Sequence, residues 1–179
     1  MPIPRDRMTA EEFFRSVPET NEQCELIYGE IVSQAAPNRT HQRIASRSFS
    51  RILDHIETKG GKCEPFIAPF DVVLNEDTVV QPDVFVVCVP DKVDEKRMYG
   101  APDLVIEVIS TNRRTDTVIK LELYKNSGVR EYWIIDPESE RTLVYLFGEN
   151  TSINIYTFDQ PVPVGIYNGE LEITVGDMV

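Results

Sequence analysis

Gln81-Pro-Asp-Val-Phe-Val-Val-Cys-Val89, Asp103-Leu-Val-Ile-Glu-Val-Ile109 and Glu131-Tyr-Trp-Ile-Ile-Asp-Pro137 are three short apolar runs with acids at their heads or inside them. Runs of this length, rich in valine and isoleucine, have the pattern of strands buried on both faces. Between the second and third, residues 115–127 have helical spacing and stop at Gly128, a residue suited to the left-handed position after a helix end. A strand–helix–strand unit such as 104–135 returns parallel and right-handed, while the strands before it can meander. The predicted fold class is α/β (α+β), a mixed sheet with a helix on each face.

Working outward, Thr9-Ala-Glu-Glu12 reads as a capping box that opens a short helix through Phe13 and Phe14, ending before Pro18. Cys24-Glu-Leu-Ile-Tyr28, Gly29 and Glu30-Ile-Val-Ser33 predict an N-terminal hairpin turning at Tyr28-Gly29. Pro37-Asn38 breaks the chain before a helix from about Thr40 to Glu57, with Ile44, Phe49, Ile52, Leu53 and Ile56 at helical spacing and Gly60-Gly61 as its stop. Residues 63–74 predict one long or interrupted strand punctuated by Pro65 and Pro69. Residues 90–100 predict a charged connection, and 141–147 a further strand. The remainder, with Pro161-Val-Pro163 and a turn at Tyr167-Asn-Gly169, predicts peripheral C-terminal strands. With no repeat or low-complexity linker, residues 1–179 are expected to form a single domain.

The chain has 18 basic and 30 acidic residues, a net charge of −12, which argues against non-specific coating of nucleic acid but not against a local grip on it. No apolar run approaches the roughly 20 residues that span a bilayer. The N-terminus, Met1-Pro-Ile-Pro-Arg-Asp-Arg7, lacks the apolar core of a signal peptide, so a cytoplasmic location is expected. Cys24, Cys63 and Cys88 are odd in number and widely spaced, which predicts buried free thiols.

A carboxylate inside an apolar run must be solvated, paired or metal-bound, because burying it bare costs several kcal/mol. Glu107 faces the side opposite Ile106 and Val108, alongside Val105 and Ile109. Satisfaction by backbone amides or an arginine remains open for it, as does a strand-start hydrogen bond for Asp83. Lys120 shares a helical arc with Asp116, Ile119, Leu123 and Tyr124, so its ammonium points at something specific or pairs with Asp116. Should Asp83 and Glu107 converge, two carboxylates about 4 Å apart repel by roughly 4 kcal/mol at an effective dielectric of 20. A divalent cation removes that penalty, and all-oxygen ligands with retained water suit Mg²⁺ or Mn²⁺. Two acids and a lysine so placed are the parts of a metal-dependent phosphodiesterase.

Pro82-Asp83 followed by Glu107 is similar to the PD-(D/E)xK nuclease superfamily. More narrowly, the chain resembles the Uma-type family of restriction endonucleases. The matching residues are Thr9-Ala-Glu-Glu-Phe13, Cys24-Glu-Leu-Ile-Tyr-Gly-Glu-Ile31, His41, Gln81-Pro-Asp-Val84, Ala101-Pro-Asp-Leu-Val-Ile-Glu-Val-Ile-Ser110, Asp116, Lys120, Tyr124 and Gly128-Val-Arg-Glu-Tyr-Trp-Ile-Ile-Asp-Pro137. The resemblance implies a restriction-endonuclease-like core and a metal-dependent endonuclease acting on nucleic acid, DNA first. Asp83 and Glu107 would hold Mg²⁺ or Mn²⁺, with the carbonyl of Val108 completing the shell. The superfamily motif places lysine two residues after the acid. Position 109 here is isoleucine, so the resemblance assigns that role to Lys120. A second departure, Ser110-Thr-Asn-Arg-Arg114 in place of a serine-proline-serine turn, is expected to alter loop shape.

Other assignments follow from the same resemblance. Glu30 is taken as the additional acid that superfamily members often carry, with ordinary surface pairing of Glu25 and Glu30 open. His41 either caps its helix or approaches a phosphate. Arg113 and Arg114 are placed to touch a phosphate backbone or are ordinary loop charges, and Trp133 is expected in the core. A homodimer suits a small nuclease that cuts duplexes. The alternative class is a catalytically inactive nuclease-fold binding or scaffold module, which gains from the acidic net charge and from Ile109.

Overall fold

The computed structural model describes residues 7–17, 23–109 and 114–179, and in the last stretch the side chains from Thr117 onward. In chain order the elements are α1 (Ala10–Ser16), β1 (Cys24–Ile27), β2 (Glu30–Ser33), α2 (Arg39–Lys59), β3 (Glu64–Ile67), β4 (Asp71–Asn75), β5 (Thr78–Val80) and β6 (Val84–Val87). There follow β7 (Arg97–Tyr99), β8 (Leu104–Val108), α3 (Arg114–Ser127), β9 (Glu131–Asp136), β10 (Arg141–Leu146), β11 (Ser152–Thr157), β12 (Pro161–Pro163) and β13 (Glu172–Thr174). The capping box at Thr9 and Glu12 forms as the sequence predicts, and the β1–β2 turn places Tyr28 and Gly29 at φ 51° and 78°.

The central sheet has six strands in the order β11-β10-β9-β8-β6-β3. Every neighbouring pair is antiparallel except β8 and β9, which are parallel and joined through α3 as the strand–helix–strand pattern requires. One face packs Val84, Val86, Leu104, Ile106, Trp133 and Ile135 against Ile44, Ala45 and Ile52 of α2. The other packs Phe85, Val87, Val105, Tyr132 and Ile134 against Leu123 and Tyr124 of α3. A second sheet, β2-β1-β5-β4-β7, covers that same face through Val72, Val80 and Met98. Strand polarity along β8 thus divides between two cores, and its even and odd residues are both buried.

Several expectations need correction. Residues 63–74 form two strands, separated at the cis Ala68-Pro69 bond, that enter different sheets. The connection 90–100 contains β7, which pairs parallel with β4. The C-terminal strands are not all peripheral. β11 is the sheet edge, but Val162, Val164, Ile173, Val175 and Met178 are buried in the α2 core. Cys63 and Cys88 are not free thiols. They extend the antiparallel β3–β6 register, in which Glu64 faces Val87, and form a disulfide with an S–S distance of 2.05 Å that does not involve Cys24. No described helix is long and apolar enough to cross a membrane.

Candidate active site

Strand register brings the predicted acids together. In the antiparallel β6–β8 pair Val84 faces Ile106, so Asp83, just before β6, arrives beside the end of β8 that carries Glu107 and Val108. Asp83 Oδ2 accepts a hydrogen bond from the Val108 amide at 2.8 Å. Lys120 reaches the same end from α3, and its Nζ lies 2.9 Å from Glu107 Oε1 and 3.0 Å from Glu25 Oε1. Among the described residues Glu107 is bonded by Lys120 and Tyr124; the alternative pairing of Lys120 with Asp116 falls on a side chain outside the described residues. Asp83, Glu107, Lys120 and Glu25 are 6%, 4%, 7% and 2% exposed. The packed arc of α3 is narrower than periodicity suggests: Leu123 and Tyr124 are buried beside Lys120, whereas Ile119 is exposed.

Glu25 is the site residue that the sequence reading passed over in favour of Glu30. It accepts the Gln81 amide at 2.8 Å as well as the Lys120 ammonium. Glu30 is exposed at the turn end of β2 and does not line the cavity on which Glu25 opens. A signal for Glu25 existed: Cys24-Glu-Leu-Ile27 is an acid within an apolar run, the same pattern that singles out Glu107. Tyr124, one helical turn beyond Lys120, donates its hydroxyl to Glu107 Oε1 at 2.8 Å.

His41 does not cap its helix. Asn38 is the cap, accepting the His41 amide at 2.9 Å, and the buried imidazole lies with Nε2 2.9 Å from Asp83 Oδ2. An ionised carboxylate only accepts, so Nε2 carries the proton and donates. Trp133 is fully buried and fills the core. Arg113 and the loop departure at 110–113 lie outside the described residues, as do the side chains of Arg114 and Asp116.

The electrostatics follow from one lysine among three buried acids. Burial pulls the Lys120 ammonium toward neutrality, but Glu107 and Glu25 outweigh it and hold the group protonated, above the ordinary lysine value. Burial drives Glu107 the other way from an exposed acid. Lys120 offsets part of this, but Asp83 and Glu25 add their repulsion, and the carboxyl is pushed up to about 7. Burial also opposes ionisation of Asp83, yet the His41 bond and charge, the Val108 amide and Lys120 keep it below the ordinary aspartate value. Burial and the charge on Glu107 raise the Tyr124 phenol, which stays a donor.

A cavity of about 120 Å³ opens on Glu25, Glu107, Val108, Lys120 and Tyr132. A hard cation fits this donor set. Among the described residues, every hydrogen bond to Asp83 falls on Oδ2 and every one to Glu107 on Oε1, so each keeps a second oxygen outside these bonds. Burial first, and then the charges of Asp83 and Glu25, disfavour ionised Glu107, and a cation beside it would favour the ionised form. No described group of three or more His, Cys, Asp and Glu residues is arranged to hold an ion alone.

A mixed sheet flanked by helices, with acids and a lysine gathered at one sheet end, defines the restriction-endonuclease-like class. A crystal structure from Anabaena variabilis ATCC 29413, described as a "putative nuclease belonging to DUF820", shares the fold with a TM-score of 0.79 at 24% identity, over 96% of this chain and 97% of its own. The chain belongs to the Uma2 family, described as "Putative restriction endonuclease", whose model matches residues 10–175. Among curated relatives, the uncharacterized Synechocystis sp. protein slr1290 is 25% identical over 79% of this chain and 75% of its own length. A second, sll1609 of the same organism, is 27% identical over 82% and 91%.

Proposed function

We propose that this protein is a Mg²⁺- or Mn²⁺-dependent endonuclease that hydrolyses phosphodiester bonds of nucleic acid, DNA in the first instance. The observation that carries this is the meeting of three chain segments at one sheet end: Glu107 and Lys120 share a cavity with Val108, and Asp83 accepts the Val108 amide. Asp83 and Glu107 would hold the ion through the oxygens outside their hydrogen bonds, with the Val108 carbonyl as a further ligand. When bound, the ion supplies Lewis acidity toward the phosphate and the attacking water. Lys120, kept charged by Glu107 and Glu25, orients that water or stabilises charge developing on the phosphate oxygens. Tyr124 holds Glu107 from below, and His41 with the Val108 amide holds Asp83, so the acids need little reorganisation. Glu25 replaces Glu30 as the auxiliary acid, acting on Lys120.

Supercoiled plasmid with Mg²⁺ or Mn²⁺ tests the proposal. The wild-type chain nicks or linearises it, whereas Asp83→Asn and Lys120→Met, verified as folded by circular dichroism, do not. Cleavage that persists in both folded variants would refute the assignment. A second reading, a non-catalytic module, is favoured by the closure of Lys120 between two carboxylates, which is itself a satisfied buried network. That reading requires no cleavage by the wild type under any divalent cation.

A further inference from the structure

Helix α2 carries arginine at every fourth position from its start, at Arg39, Arg43, Arg47 and Arg51, with no acid between them. At 100° per residue Arg39 and Arg43 lie opposite the buried His41, Ile44, Ala45, Ser48 and Ile52, while Arg47 and Arg51 continue the row round the helix, Arg51 ending about 20° from Ile44. Arg39, Arg47 and Arg51 are exposed and Arg43 is half-buried. Among the described residues none of the four pairs with a carboxylate, and Arg47 donates to the Asp177 carbonyl at 2.9 Å. Helix stability does not account for this row. Cations in the first turn oppose the helix dipole, like charges at i,i+4 repel, and the first turn of α2 holds no acid. In a chain of net charge −12, an unneutralised basic face is complementary to a polyanion outside the molecule.

Its position ties it to the site. His41 of the same helix is bonded to Asp83. A cavity of about 150 Å³ beside Asp83 is lined by His41, Gln42 and Ser46, and the last two lie on the arc next to Arg39 and Arg43. We propose that this face of α2 is the track for a nucleic-acid phosphate backbone leading away from the cavity beside Asp83. From Arg39 to Arg51 the helix rises about 18 Å, on the order of five nucleotide steps. The proposal rests on the nuclease reading for the identity of the polyanion.

Fluorescence anisotropy of a labelled duplex, with single-stranded DNA and RNA of the same sequence as further arms, is measured in EDTA across a potassium chloride series, so that binding is read without cleavage. The double variant Arg39→Gln/Arg43→Gln weakens binding roughly tenfold or more and makes the log K against log salt slope shallower by about two. Adding Arg47→Gln removes about one more. Lys62→Gln, just past the far end of α2, changes neither quantity. Unchanged affinity and slope in the folded arginine variants would overturn the track, even if Asp83-dependent cleavage is observed. So would arginine-dependent binding of phosphatidylserine vesicles with no oligonucleotide bound. Arginine-dependent oligonucleotide binding by a protein that cleaves nothing supports the track and removes only the catalytic reading.

Discussion

Glu107 and Glu131 are both glutamates buried in neighbouring parallel strands, 4% and 1% exposed, yet their surroundings differ in kind. Glu131 opens β9 at the far end of the sheet from Glu107. It accepts Trp133 Nε1 at 2.7 Å and the amides of Gly165 and Ile166 at 3.0 and 2.8 Å. These donors are neutral groups of the fold itself, and they fasten the C-terminal segment to the sheet. Glu107 instead is held by a charged lysine and a phenol, is repelled by two other acids, and borders a cavity. Burial raises the pKa of both. Of the two, only Glu107 combines that rise with crowding by like charges, the combination expected of a carboxylate at a functional site.

The largest expected effect is on catalysis. Glu107→Gln should lower the cleavage rate by more than about a thousandfold, because transition-state stabilisation through an ion is lost, while the protein stays folded and its unfolding free energy shifts by on the order of 1–3 kcal/mol with pH. Glu131→Ala should do the reverse. It leaves three buried donors unpaired at a cost of roughly 3–5 kcal/mol in urea denaturation, with cleavage per folded molecule retained. An exchange of these two outcomes would break the comparison.

How the sequence reads these two residues shows what it can carry. Local pattern suffices for the three apolar runs, the helix between the last two, the Tyr28-Gly29 turn and the facing of Glu107, since each depends on neighbours within a few residues. It also places Lys120 on a packed arc. It does not distinguish Glu107 from Glu131, because each sits with apolar residues and two of the three donors to Glu131 lie far along the chain, at Gly165 and Ile166. The second sheet depends on β4 pairing with β7 across a charged connection, and the Cys63–Cys88 bond depends on the β3–β6 register. Both are long-range registers with no local mark. Glu25 and Glu30 share one face of the hairpin, since Glu25 faces Val32 and Ile27 faces Glu30, so parity cannot choose between them. Only the docking of β1 beside α3 does.

A smaller effect sharpens the contrast through pH. The Glu107 carboxyl is raised to about 7 in the fold from an ordinary value of 4.5, so between those values the folded state binds more protons than the unfolded one. Stability from this group is therefore present at the acid end and lost as pH rises toward 7. In EDTA, urea midpoints of the wild type should fall relative to Glu107→Gln between pH 5 and 8, by on the order of 1–3 kcal/mol. A constant difference across that range would mean the carboxyl is not so crowded. Smaller still is Gly165→Ala. An added Cβ would meet Leu146 Cδ2 at 2.9 Å and Glu131 Oε2 at 3.1 Å, costing about 1–2 kcal/mol of stability with cleavage unchanged.

Isothermal titration of Mn²⁺ into the wild type, Asp83→Asn and Glu107→Gln tests the metal site without requiring turnover. The wild type should bind Mn²⁺, with affinity falling at least roughly tenfold in each variant, since each removes one anionic ligand. Absence of binding by the wild type, or equal binding by all three folded proteins, would contradict a cation site built on Asp83 and Glu107.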